Sequence, residues 1–263
     1  MLRQLDLCSR MGTGFPLAGL QLMGFTRCGL AEIDRYCSHI LRQRFPEVRN
    51  YGNLRELSER ETLEITDDLD LISAAPPSQP FLKLRGISHP RDCLFDILKI
   101  VGRLQPKFFV LNTVPELLKC PYAVRAKTAY AYYLFREIDR LGYDAEWLVI
   151  SSGELGSPFC RERLLLVGYS REFFDPKFPP RNWMEQYRNE LETIGSSERR
   201  GVSQSNPAGG LLQFARRVDR SVGVSSGDRT YRYSKKVVKN ILDPRVAAVA
   251  LRRVLYLNSL VER

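Results

Sequence analysis

The chain has 263 residues, 44% hydrophobic and 27% charged, long enough to bury a full core, so one α/β domain with a smaller appendage is expected. It holds no apolar run long enough to cross a bilayer, and Asp6 interrupts any charged-then-apolar leader, which predicts a soluble, cytoplasmic protein with no membrane partner. The net charge is +10, and residues 171–263 carry 18 Lys and Arg against 10 Asp and Glu; this basic third suits a polyanion such as nucleic acid, or simple solvation.

Six cysteines (Cys8, Cys28, Cys37, Cys93, Cys120, Cys160) are scattered without a CxxC pair or a His cluster, so reduced thiols are expected rather than zinc or a disulfide framework. The two histidines, His39 and His89, read as surface or helix residues, and no metal site is indicated.

In chain order, Leu5-Asp6-Leu7-Cys8 is a short apolar strand. It is followed by a turn with Gly12 and Gly14, and then by Leu17, Leu20, Leu22 and Met23 at helical spacing. This is a βα unit whose turn lets a ligand approach the backbone near a helix N-terminus. Thr26 to Ala31 reads as a second strand ending at Glu32-Ile33-Asp34. In such a unit an acidic residue there holds a ribose by its hydroxyls, which favours Glu32, while a helix N-cap at Asp34 explains the cluster without a ligand. Tyr36 to Phe45 is an amphipathic helix stopped by Pro46; Tyr51-Gly52-Asn53-Leu54 is a turn, and residues 58–68 form a polar, acidic connection.

Asp70 to Phe81 is an apolar run that stops at Ala75, because Pro76-Pro77 cannot donate ladder hydrogen bonds. Ser78 is thereby displayed at the carboxyl end of a strand, the edge where open α/β sheets place ligands; an ordinary strand-to-loop turn is the alternative. Residues 82–92 read as a polar mobile loop, Cys93 to Leu104 as a helix, and Phe108 to Leu111 as a buried strand followed by Asn112-Thr113. A helix at Tyr130 to Leu141, a strand at Trp147 to Ser151 and a strand at Leu164 to Gly168 after Arg161-Glu162-Arg163 complete an alternating pattern. That alternation predicts a doubly wound, mostly parallel α/β sheet over residues 1–173. Residues 174–236 hold a helix at Trp183 to Ile194 and a Gly/Ser/Arg-rich stretch without a clear period, a small irregular region. Residues 237–263 end in an apolar helix, Val246 to Leu257, expected to dock back onto the sheet.

Taken together, these landmarks resemble the DNA cytosine-5 methyltransferases over nearly the whole chain. DLCSRMGTGF is similar to the family's cofactor loop, AEID to its ribose-binding acidic motif and YGNL to the turn that holds adenine. PPSQPF looks like the catalytic loop, FFVLNTV the following strand, FCRER the arginine segment and VKNILDPRVAAVAL the closing helix. The resemblance implies a class I S-adenosylmethionine-dependent methyltransferase fold, with residues 174–236 as a target-recognition-like region. It implies double-stranded DNA as partner and, in a bacterium, nucleoid association and a restriction-modification role. It places Leu7, Cys8, Ser9, Gly12, Gly14, Glu32, Ile33, Asn53, Leu54, Pro76 and Asn240 at the cofactor and Ser78, Asn112, Arg161 and Arg163 at the catalytic centre.

The departures from that pattern imply altered chemistry. In the family a cysteine thiolate attacks C6 of a flipped-out cytosine so that C5 takes the methyl group. Ser78 stands in its place, a far weaker nucleophile, and Asn112 replaces the glutamate, an amide that donates a hydrogen bond but delivers no proton. Thr113 replaces an asparagine, Arg10 a loop glycine, Cys8 and Ile33 aromatic residues, Asn53 an aspartate and Lys239 a glycine. These changes imply weakened cofactor binding and impaired methyl transfer; the alternatives are a catalytically silent DNA-binding or regulatory relative, a pseudoenzyme, partnered with an active methyltransferase, or a decayed copy of an active enzyme. An exocyclic-amino methyltransferase is a further alternative, although PPSQPF has no aromatic residue directly after its prolines.

Overall fold

The computed structural model describes residues 1–60, 65, 68–157, 160–173, 180–193 and 242–261. The first half runs β1 (Leu2–Leu7), α1 (Phe15–Leu22), β2 (Phe25–Ala31), α2 (Arg35–Arg44), α3 (Leu54–Glu59), β3 (Leu71–Ala74) and the single turn α4 (Gln79–Leu82). Then follow α5 (Leu94–Leu104), β4 (Phe108–Thr113), α6 (Tyr130–Arg140), β5 (Tyr143–Ser151), β6 (Glu162–Ser170), α7 (Trp183–Thr193) and α8 (Pro244–Val261).

The six strands form one sheet in the order β2-β1-β3-β4-β6-β5. β2, β1, β3 and β4 are mutually parallel, with Leu7 beside Ala74 and Ala74 beside Leu111, so their carboxyl ends lie on one edge. β6 runs antiparallel to both β4 and β5. The sheet is thus doubly wound and mostly parallel in strand direction, with one reversed strand. That reversal brings the beginning of β6 to the edge where β1, β3 and β4 end: Thr113 pairs with Leu164.

Strand alternation feeds two cores. Leu5, Leu7, Ile72, Phe109, Leu111 and Leu166 pack on one side against α3, α5 and α6. On the other side, Leu71, Phe108, Val110, Leu165 and Val167 meet α1 and the Val246, Ala250, Leu251, Val254 and Leu257 face of α8. The last helix docks back as its apolar periodicity predicts. It opens with Pro244 at a position where no amide hydrogen is needed, and Asp243 accepts from Arg245 N at 2.9 Å. Fully buried Arg253 ties α8 to the sheet edge through a two-pronged pair with Glu146 of β5 (2.5 and 2.8 Å) and further bonds to Gln186 Oε1 (3.1 Å) and the Arg181 carbonyl (2.7 Å).

Three expectations need correction. Residues 82–92, largely exposed, are fastened to the body at Gly86, Ile87, His89 and Asp92: a 3₁₀ turn spans Gly86–Ser88, Ile87 N donates to the Tyr122 carbonyl at 2.8 Å and Asp92 accepts from buried Tyr130 OH at 2.8 Å. Gly86 sits at φ +49, and any Cβ there would collide with the carbonyls of Pro121 and Tyr122, a close approach that a polar composition cannot announce. His89 lies on neither surface nor helix: it is buried, and its Nδ1 accepts from Arg91 N at 3.1 Å. β5 begins at Tyr143 rather than Trp147, because an edge strand exposes Asp144 and so lacks an unbroken apolar run. Among the described residues no helix is long and apolar enough to cross a membrane. Most of residues 174–236, expected to form an irregular region, and the start of 237–263 lie outside the described residues.

Candidate functional site

The loop after β1 is shaped by left-handed backbone at alternate positions: Cys8 at φ 56, Arg10 at φ 53 and Gly12 at φ 72. Gly12 is required twice over, since a Cβ there would also press on the Phe45 ring at 2.5 Å and on Leu41 at 2.9 Å. Arg10 adopts the same conformation with a side chain, at a cost of about 1–2 kcal/mol. Its backbone N–H compensates by donating to Glu32 Oε2 at 2.8 Å.

Glu32, buried at the end of β2, takes a second backbone donor from Asp34 N on Oε1 at 2.8 Å, while its own amide donates to Asn50 Oδ1 at 2.9 Å. Each carboxylate oxygen therefore keeps acceptor capacity beyond its backbone bond. Asp34 caps α2 by accepting from Cys37 N at 3.0 Å. Both acidic residues line a cavity, Asp34 with its carboxylate also engaged as a helix cap and Glu32 held by two backbone donors.

That cavity has a volume of about 480 Å³, within the range of small-molecule sites. Cys8, Arg10, Glu32, Ile33, Asn53 and Leu54 are among its lining residues. Ile33 is 68% exposed, an apolar surface at the wall, and Asn53 caps α3 by accepting from Arg55 N at 3.1 Å. Cys93 also lines the cavity, and its neighbouring thiol together with burial pushes the Cys8 thiol well above its ordinary pKa.

Arg10 and Pro77 border both this cavity and a second, narrow cleft of about 50 Å³, room for the edge of a ring rather than a whole one. Ser9, Gly14, Pro76, Ser78, Asn112 and Arg163 are among the residues lining the cleft. Ser78 precedes α4, its carbonyl accepting from Phe81 N and Leu82 N at 3.1 Å, while its side chain makes no capping bond. Three buried side-chain atoms of this cleft have no hydrogen-bond partner: Asn112 Oδ1, Thr113 Oγ1 and Gln79 Oε1. A buried polar atom without a protein partner calls for water, an ion or a ligand to complete it. Arg163 reaches the cleft because β6 is reversed, and burial lowers the pKa of its guanidinium.

Asp6, the first residue of the DLCSRMGTGF segment but not among the expected site residues, faces the same cleft. Its Oδ1 accepts from Ser73 Oγ at 2.5 Å, Ser73 Oγ in turn accepts from Gln4 Nε2 at 2.7 Å, and burial pushes its pKa up to about 7. A carboxylate inside an apolar strand was the available signal. Gln79 and Thr13 were missed for want of one.

The remaining sequence candidates lie elsewhere. Leu7 is a fully buried core residue and lines neither cavity, nor does Gly12. Arg161 borders neither; its amide donates to Ser152 Oγ at 3.0 Å, which fixes the turn into β6. Asn240 lies outside the described residues, as does Lys239.

The family model for C-5 cytosine-specific DNA methylases matches residues 2–242. The chain belongs to that family. Among curated relatives it is 28% identical over 168 residues to the type II methyltransferase M.BsuFI of Bacillus subtilis, covering 60% of this chain and 39% of the relative. It is 27% identical over 180 residues to M.HgiCII of Herpetosiphon aurantiacus, covering 67% and 39%. The chain therefore spans about two fifths of each of these relatives' length. The S. pombe Dnmt2 methyltransferase shares the fold, with a TM-score of 0.61 at 14% identity over 98% of this chain and 100% of that one.

Proposed function

We propose that this family member binds S-adenosylmethionine and double-stranded DNA, with methyl transfer to cytosine C5 impaired at Ser78 and Asn112. The observation that carries the reading is the convergence of Cys8, Glu32, Ile33, Asn53 and Leu54 on one cavity of suitable size, joined at Arg10 to the cleft of Ser78 and Asn112. Glu32, with spare acceptor capacity on both oxygens, would take the ribose hydroxyls; Ile33 and Leu54 would flank the adenine. Ser9, Gly14 and Pro76 would bound the methionine part. The cofactor, when bound, supplies a methyl group on a sulfonium centre.

The chain's own residues then set the limits of the chemistry. Ser78 offers a hydroxyl where a thiolate would attack, and Asn112 offers an amide where an acid would deliver a proton. Arg163 orients a base or its phosphate, with Arg161 as a neighbouring positive charge. The unpartnered Asn112 and Thr113 atoms also favour a second reading, a silent DNA-binding relative that keeps base contacts without transfer. An active methyltransferase is a partner consistent with that second reading.

Calorimetric titration with S-adenosylmethionine tests the first step: heat of binding is expected, and its absence at millimolar ligand overturns the reading. Transfer of labelled methyl groups to DNA is expected to be at background for the native chain. Turnover by the native chain equal to that of Ser78→Cys combined with Asn112→Glu would remove the impairment.

A further inference from the structure

From the chemistry of the unpartnered atoms we infer that the cleft around Asn112 reads the edge of a pyrimidine in its neutral form and does not distinguish cytosine from uracil. The inference rests on the proposed function insofar as a nucleobase is the occupant. Asn112 is 7% exposed and Thr113 4% exposed, and Asn112 Oδ1, Thr113 Oγ1 and Gln79 Oε1 all lack partners at the same cleft. Two are primary amides and one is a hydroxyl. An amide sets an acceptor beside a donor, and a hydroxyl serves as either by rotation.

The edge of cytosine offers an amino donor beside an acceptor ring nitrogen. Uracil offers the reverse, a ring N–H beside a carbonyl. The terminal torsion of asparagine is broad and roughly two-fold, so turning the Asn112 amide over matches either pattern with two hydrogen bonds. A carboxylate in its place would accept only. Cytosine's basic ring nitrogen can take up a proton and answer it with a charge-assisted pair, whereas uracil's carbonyl is far too weakly basic. Asp6, Arg10 and Arg163 also border the cleft; they are common to the native chain and its Asn112 variants, so the change in ratio between them isolates the amide.

The test uses short single-stranded oligo-dC and oligo-dU of equal length, which need no base flipping and share their phosphate contacts, so the ratio of affinities isolates the base edge. The native chain is expected to bind the two within about threefold, and Asn112→Glu to shift the ratio about tenfold or more toward oligo-dC, as one bidentate contact is worth. Asn112→Leu is expected to weaken both equally. A native preference of tenfold for either base, or an Asn112→Glu ratio equal to the native one, overturns the inference. Loss of binding to both oligonucleotides with cofactor heat intact overturns the nucleobase reading while leaving the cofactor assignment standing; loss of the cofactor heat overturns that assignment separately.

Discussion

The backbone N–H of Arg10 donates to the carboxylate of Glu32 at 2.8 Å, joining the loop after β1 to the end of β2 across 22 residues. The bond uses the main chain, so it does not depend on the Arg10 side chain. Arg10→Gly is therefore expected to keep the Glu32 contact and relieve left-handed strain of about 1 kcal/mol. It would also clear the border between the two cavities. The expected outcome is tighter S-adenosylmethionine binding by several-fold with an unchanged or higher melting temperature; weaker binding on calorimetry would show that the guanidinium contributes to the pocket.

Asp6 gives a pH-dependent signature. Its pKa of about 7 lies above the ordinary carboxylate value, so the fold holds this proton more tightly than the unfolded chain does. Stability from this group is full below about pH 4, falls as pH rises, and reaches its full deficit above about pH 7, on the order of 4 kcal/mol. Asp6→Asn removes that loss while keeping an acceptor for Ser73. Its advantage in urea denaturation is expected to be larger at pH 8 than at pH 5; an equal gap at both would refute the assignment.

Thiol chemistry separates the cysteines by environment. Cys160 is exposed, whereas Cys8 is partly covered and raised in pKa by the neighbouring Cys93 thiol and burial. Because the thiolate is the reactive form, iodoacetamide is expected to label Cys160 first and Cys8 at least about tenfold more slowly. Mass spectrometry of the time course decides this, and faster labelling at Cys8 would contradict the geometry. Added S-adenosylhomocysteine is expected to slow Cys8 further.

Arg253 and Glu146 test how α8 is fixed. Arg253→Met leaves the Glu146 carboxylate without its two-pronged partner and is expected to cost about 3–5 kcal/mol, while adding Glu146→Leu recovers much of it, since a packed apolar pair avoids the uncompensated charge. Chemical denaturation of both variants measures this. A single change costing under about 1 kcal/mol would mean that the pair contributes little.

Much of this was legible along the chain because the motifs are local. Proline pairs end strands, glycines permit a tight loop, and apolar spacing marks helices, so the order of strands, the placement of Ser78 after Pro76-Pro77 and the return of the last helix follow from short stretches. Glu32 and Ile33, adjacent at the end of β2, both line the larger cavity. The acidic cluster left two readings open, and only packing showed that Asp34 caps α2 while both Asp34 and Glu32 line the cavity.

The sequence by itself determined the family motifs, their order and the chemical substitutions at Ser78 and Asn112, all properties of residue type. Tertiary structure decided which of these residues share a space. Strand direction is set by pairing between distant segments, and the reversed β6 brings Arg163 to the cleft but leaves Arg161 at its turn. Burial likewise depends on neighbours from across the sheet: it raises Asp6 to about 7, leaves Asn112 and Thr113 without partners and removes Leu7 from the site. Desolvation and contact arise only once residues 6, 32, 78, 112 and 163 are brought to one sheet edge, and no local spacing encodes that meeting.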